Sequence, residues 1–181
     1  MLNSEIPPFV PEPPTPGRLV CLTPNAGISS VDRIETNVSV KYAPGITNDR
    51  ECAKLFDGEV EGEEHSFFNY PYPCSVIDFD FLKKYQIERV EVCTGMTPRP
   101  GHLMQIEIVP IYIEIQTSVD GQSFKPVDRI LPRTLRGFQR SHTLTLTARY
   151  LRIVTASLNM AHDIDEIRVW GRELTDGSSV R

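Results

Sequence analysis

Ser75-Val76-Ile77-Asp78-Phe79-Asp80-Phe81 is the stretch whose reading decides the fold class. Successive side chains of a strand point to opposite faces, so Ile77, Phe79 and Phe81 share one face while Asp78 and Asp80 share the other. Such a segment is a half-buried strand, apolar toward a core and charged toward water. The same period of two recurs in both directions along the chain. Leu19–Leu22 is a short apolar run, and Ile34–Tyr42 contains the alternation Val38, Val40, Tyr42. Val90 and Val92 share a face across Glu91, and Ile111, Ile113 and Ile115 alternate with Tyr112, Glu114 and Gln116. Leu144 and Leu146 alternate with Thr143, Thr145 and Thr147, and Tyr150–Thr155 and Ile164–Trp170 close the series. Asp120-Gly121 marks a tight turn between two strands. Period-two runs separated by Gly, Pro and Asn turns predict an all-β fold, an antiparallel β-sandwich. Its expected core includes Ile77, Phe79, Ile113, Ile115, Leu144, Leu146, Ile153 and Ile167. No long amphipathic helix and no internal repeat is read.

The 181 residues suffice for one domain with a substantial core. Apolar residues make up 40% and charged residues 24%, an ordinary globular balance. Formal net charge is −5, and no Lys/Arg cluster offers a basic face, so nucleic-acid binding is not expected. Arg133, Arg136 and Arg140 come closest and read as decoration of a solvated loop. No apolar run is long enough for a transmembrane helix, and Met1 to Pro16 lacks the basic and apolar regions of a signal peptide. Localisation stays open, with a virion or extracellular surface as the expectation. Cys21, Cys52, Cys74 and Cys93 form no CxxC pair and no zinc spacing, and free thiols are favoured. Residues 1–17 carry six prolines, which fix φ and remove donors. This arm should be extended and polyproline-like, and it is excluded from a central sheet position. Ile6, Phe9 and Val10 are its apolar anchors, and it is expected to dock on a protein partner or neighbouring subunit. The chain thus divides into the arm at 1–17, a sandwich at 18–174 and a tail at 175–181.

An ordered set of segments carries a family resemblance. Ala53-Lys54-Leu55-Phe56-Asp57-Gly58 resembles an A-x-x-L-x-D-G opening, and Ser75–Phe79 resembles an "sI-x-I-D-L" strand. Ile113–Phe124 looks like "Y-x-I-x-x-S-x-D-G-x-x-W". Ala148–Ile153 matches "A-R-Y-(I/V)-R-(I/L)", and Asp165–Gly171 matches "A-E-(I/L)-x-V-y-G". Together, over residues 34–174, they resemble the coagulation factor V/VIII type C, or discoidin, domains. The chain is most similar to the galactose-binding carbohydrate-binding modules attached to sialidases and other glycosidases. His65 stands eight residues after Asp57, as in their "D-G-x-x-x-T-x-W-H". Tyr70–Ser75 echoes their "P-L-P-H-S", and Thr97-Pro98-Arg99-Pro100-Gly101 echoes their "l-P-R-q-d-G" loop.

The resemblance implies a galactose-binding-like, jelly-roll sandwich. It implies that His65 and Arg99 hydrogen-bond the hydroxyls of a galactose-type sugar, with Asn159 and His162 on the next candidate loop. Gly62 stands where the family has Thr and Glu64 where it has Trp; Phe67 or Phe68 could replace that ring. Ser157–His162 lacks an aromatic platform. The resemblance also implies a structural Ca²⁺ held by the Lys54 carbonyl, Asp57 carboxylate, Glu59 carbonyl, Gly62 carbonyl, Asp165 carbonyl and Glu166 carboxylate. That mixture suits a hard cation wanting six to eight oxygens.

Other features receive plainer readings. Phe67, Phe68, Tyr70 and Tyr72 read first as a plug for the sandwich end and second as a contact surface. Met96, Leu103 and Met104 lack surrounding basic residues, so membrane insertion is not expected. His162, Asp163, Asp165 and Glu166 look superficially catalytic, but alternation sets Glu166 and Arg168 on one face at a strand start. No nucleophile elbow, phosphate loop or HExxH occurs, and an enzyme is not expected. Asn37-Val38-Ser39 is a formal glycosylation sequon. The expected function is a non-catalytic glycan-binding, adhesive module, part of a larger assembly such as a virion surface or tail. The alternative is a structural or protein-interaction subunit on the same fold.

Overall fold

The computed structural model describes residues 19–23, 37–41, 52–69, 74–97, 109–132, 134, 136–158 and 162–174; of residues 20, 37–41, 52, 53, 69 and 162 it describes only the backbone. The elements in order are β1 (Val20–Cys21), β2 (Asn37–Lys41), a 3-10 turn (Cys52–Leu55), β3 (Phe67–Asn69) and β4 (Cys74–Thr94). They continue with β5 (Tyr112–Ser118), β6 (Lys125–Ile130), β7 (Gly137–Arg140), β8 (Leu146–Ala156), β9 (His162–Ile164) and β10 (Glu166–Glu173). Every pairing is antiparallel.

The expected alternation is realised, and register turns it into rows. Ile77 pairs with Ile153 and Ile153 with Ile115, so three buried isoleucines lie side by side on one inner face. The opposite face carries ion pairs in the same register: Arg152 forks onto Asp78 at 2.5 and 2.9 Å, and its guanidinium lies 3.8 Å from the Phe124 ring. Phe79 meets Phe56 edge-on at 5.7 Å and stacks with Phe81 at 5.9 Å. Each fully buried side chain of this size contributes about 1.5–3 kcal/mol, and one contiguous core contains them all.

Strand β4 explains how two layers arise from one sheet. Its first half, to Asp80, is flanked by β2 and β8; its second half, from Tyr85, is flanked mainly by β10 and β7. Asp80 opposes Tyr150 and Tyr85 opposes Ala148, so residues 81–84 bulge opposite Arg149 alone. A bulge bends its strand and sharpens the twist. Here Arg149 forks onto Asp80 at 2.7 and 2.9 Å, Asp80 accepts the Leu82 N–H at 2.9 Å, and Leu82 takes φ 64°. The expected antiparallel β-sandwich is built from one curled antiparallel sheet, with a separate β3–β9 ladder. Two short connections, Ile130 to Gly137 and Ala156 to His162, show that the curl brings both ends of β4 to the same end of the molecule. Ala156 pairs with Cys74, and Gly137 with Thr94. A few residues of chain cannot span an uncurled sheet.

Several particulars differ from the sequence reading. Strand β5 begins at Tyr112 rather than Ile111, and the exposed Ile111 donates its N–H to the Ala156 carbonyl. Leu146 is only partly buried, while Leu144 is buried from a segment outside any strand. Arg140 stands on β7 rather than in a loop, and Arg136 donates to the Gly95 and Met96 carbonyls at 3.1 and 3.4 Å. The Asp120-Gly121 turn forms as read: Asp120 accepts the Gln122 and Ser123 N–H groups, which, with Ser118, pull its carboxyl down to about 2. Cys21 and Cys93 are free thiols, and burial pushes Cys93 up to about 12. The proline-rich arm and the 175–181 tail lie outside the described residues.

Candidate functional site

The loops that gather at this end are tied together by buried side chains. Asp165 is the centre. Its carboxylate accepts the Met96 N–H at 2.9 Å and the Thr97 hydroxyl at 2.8 Å, and its own N–H bonds the Cys93 carbonyl. The Thr97 hydroxyl also lies 3.4 Å from the Gly62 carbonyl, which accepts the His65 N–H at 3.1 Å. Ser66 donates to Asp163, and both are buried. Arg136 holds the Gly95 and Met96 carbonyls from the far side. The 57–66 loop and the start of the 95–101 loop are therefore pinned to β9–β10 and to each other.

His65 is the predicted ligand residue that the structure describes in full. Its Nδ1 lies 2.8 Å from Asp57 Oδ2, while Nε2 is 3.7 Å from Glu64 on the exposed side of the loop. The hydrogen bond to Asp57 raises the imidazole pKa. One ring nitrogen is thus fixed by Asp57, and the other lies toward the exposed carboxylate of Glu64. Arg99 and Asn159 lie outside the described residues, and of His162 only the backbone is described, paired with Asn69. Phe67 is fully buried against Ile164 and belongs to the core, so it does not replace the missing aromatic ring; it plugs the sandwich end. The apolar side chains exposed here are aliphatic: Ile111, Leu131 and Leu158.

Asp57, bonded to His65, lies close enough to Glu166 for its charge to act on it. Glu166 is buried; it accepts the Gly58 N–H at 3.3 Å, and Arg168 approaches only to 3.5 Å. Burial pushes its carboxyl up to about 7, and the nearby Asp57 charge adds to the rise. A buried acid with so distant a counter-charge fits a cation. Asp57 already accepts the Glu59 N–H at 2.9 Å. Among the described residues no three His, Cys, Asp or Glu side chains are grouped to hold an ion, so the Lys54, Glu59, Gly62 and Asp165 carbonyls would have to complete any such site. The donor chemistry suits Ca²⁺.

Sequence comparison finds no matching family model and no matching curated protein. Solved structures do match. The family 32 carbohydrate-binding module of Clostridium perfringens NanJ, in complex with galactose, superposes with TM-score 0.55 at 12% identity, over 75% of this chain and 93% of that one. This chain has the galactose-binding-like fold of family 32 carbohydrate-binding modules. A second such module from Clostridium perfringens, in complex with GalNAc-β-1,3-galactose, matches with TM-score 0.54 at 14% identity, over 74% and 94% of the two chains. A third, from a family 31 glycoside hydrolase of the same organism, gives 0.52 at 21% identity over 76% and 94%. The galactose-binding-like fold expected from the motif series is the fold observed. Sequence reasoning missed Thr97, Ser66, Asp163 and Arg136 as the ties between loops. Their partners are 97 to 41 residues away in sequence for three of these contacts, a separation no local pattern encodes.

Proposed function

We propose that this chain is a non-catalytic glycan-binding module for galactose-type sugars, stabilised by Ca²⁺ and used for adhesion within a larger assembly such as a virion surface. The observation that carries the reading is His65: a ring fixed by Asp57, with its second nitrogen toward the exposed Glu64, on the loop end of a fold whose structural neighbours were captured with galactose and GalNAc-β-1,3-galactose. Arg99 follows two residues after the pinned Thr97, and its planar paired donors suit vicinal hydroxyls. The acids that look catalytic support the same reading. Asp163 and Asp165 are buried and bonded to Ser66, Thr97 and Met96, so neither is presented to a substrate.

A Ca²⁺ at Asp57 and Glu166 would relieve the buried acid and hold the His65 loop to β10. The arm at 1–17, with Ile6, Phe9 and Val10 between prolines, would supply the contact to a protein partner or neighbouring subunit. Isothermal titration with galactose and N-acetylgalactosamine tests the reading. Wild-type protein should bind weakly, and His65→Ala and Arg99→Ala should each abolish the heat without lowering the melting temperature. Binding retained in both variants would move the site, with Asn159 and His162 the next residues to replace.

A further inference from the structure

The outer face of the β7–β4–β10 layer carries a second constellation, which meets the loop end where Arg168 approaches Glu166. Register sets Arg140, Glu91 and Arg168 in one row across three strands, with Arg89 beside Trp170 in the next. Glu91 is buried beneath them. Its Oε1 receives Arg140 Nε at 2.8 Å and lies 3.3 Å from Arg89 Nε; its Oε2 accepts the Trp170 indole N–H at 2.7 Å. The Arg89 guanidinium lies 5.0 Å from the Trp170 ring, and that of Arg168 lies 4.3 Å over Phe138. The buried carboxylate therefore holds Arg140 by its Nε edge and draws Arg89 by charge, the buried Arg89 Nε making no hydrogen bond among the described residues, and aromatic rings brace Arg89 and Arg168. Among the described residues the Nη groups of Arg89 and Arg140 take no partner, and the Arg140 side chain is 66% exposed. Fixed, outward Nη donors are the fork that carboxylates and sulfates accept in pairs.

We propose that this face is a second ligand site, for an acidic polysaccharide that presents carboxylate or sulfate groups to Arg89 and Arg140. The charge pattern selects this class. Three arginines outnumber Glu91 and Glu166, so the patch is locally cationic. The chain as a whole carries −5, and Glu88, paired with Arg172 at 2.5 Å, flanks the patch. Such a small footprint takes isolated anionic groups spaced along a sugar chain, whereas a continuous phosphate backbone would meet repulsion on either side. That the ligand is a glycan rests on the function proposed above; the surface itself shares no residue with the His65 loop.

The test measures binding of oligogalacturonate, which carries carboxylates only, and of a heparin oligosaccharide, which adds sulfates. Single-stranded DNA and polyglutamate serve as competing polyanions and galactose as the neutral sugar. Arg140→Gln and Arg89→Gln should each weaken acidic-oligosaccharide binding about three- to fivefold at moderate salt, the double variant more, with galactose binding unchanged; loss of a partner to the buried Glu91 lowers the melting temperature of each variant, so binding is read well below it. The ratio between the two acidic probes reports whether carboxylate or sulfate is preferred. Equal binding by the double variant overturns the proposal, as does failure of both acidic probes. Loss on His65→Ala instead assigns the acidic sugar to the loop end and overturns the second site while leaving the proposed function intact. DNA or polyglutamate bound as tightly overturns the ligand class.

Discussion

Replacing Thr97 with Val tests the loop ties most sharply, because it removes one hydroxyl and almost no volume. Thr97 and Asp165 are both buried, and their 2.8 Å hydrogen bond links a hydroxyl to a carboxylate. Hydrogen bonds to charged groups contribute about 1.5–3 kcal/mol, and the loss here also strips a buried carboxylate of one of its donors. Burial already raises the Asp165 pKa, so the variant should favour its neutral form further. A loss of about 2 kcal/mol is expected, which for a domain of this size lowers the melting temperature by about 4–8 °C. Urea denaturation gives the free energy, and hydrogen exchange gives its location: amides of Met96 and His65 should exchange faster, while those of the β5–β6 hairpin should not. Thr97→Ser should recover most of the stability. Unchanged stability, or a uniform rise in exchange across both regions, would refute the idea that this hydroxyl ties the two loops.

Four further outcomes follow from particular atoms. Among the described residues the buried Thr94 hydroxyl has no partner, so Thr94→Val should raise stability by about 1 kcal/mol in urea denaturation. Leu82 holds φ 64° on an exposed bulge, so Leu82→Gly should be neutral or stabilise by about 0.5–1 kcal/mol, where a glycine elsewhere in a strand would destabilise. The Glu166 pKa is raised in the folded state, so without divalent cation the folded protein binds more protons than the unfolded chain. Stability should then fall as pH rises from about 4.5 through about 7, and Glu166→Gln should flatten the melting-temperature profile. Calcium at a hundredfold excess over Kd should add about 2.7 kcal/mol to the wild type, Asp57→Ala should abolish that response, and chelator should reverse it.

The alternation of Ile77, Phe79 and Phe81 with Asp78 and Asp80 was legible because strand geometry imposes it locally. So were the Asp120-Gly121 turn and the buried Ile113 and Ile115. Strand β5 begins at Tyr112, one residue after the alternation does, because pairing and not sequence pattern sets where a strand starts. The curl of β4 was invisible in Leu82-Lys83-Lys84, since it depends on Arg149 across the ladder holding Asp80. At the site, Asp57 and His65 are singled out by the family resemblance alone, and the structure joins them through a 2.8 Å hydrogen bond. Thr97 and Ser66 were not legible, because their roles exist only once β9 and β10 bring Asp163 and Asp165 beneath them. Arg140 reads as a loop cation until register places it beside Glu91.

The most direct test of the glycan-binding claim is a ¹H–¹⁵N correlation spectrum recorded during titration with galactose. Binding at the loop end predicts saturable shifts of the Gly62, His65 and Met96 amides, with the β5–β6 hairpin still. A spectrum that stays fixed up to high sugar concentration, or shifts confined to the hairpin, would contradict it.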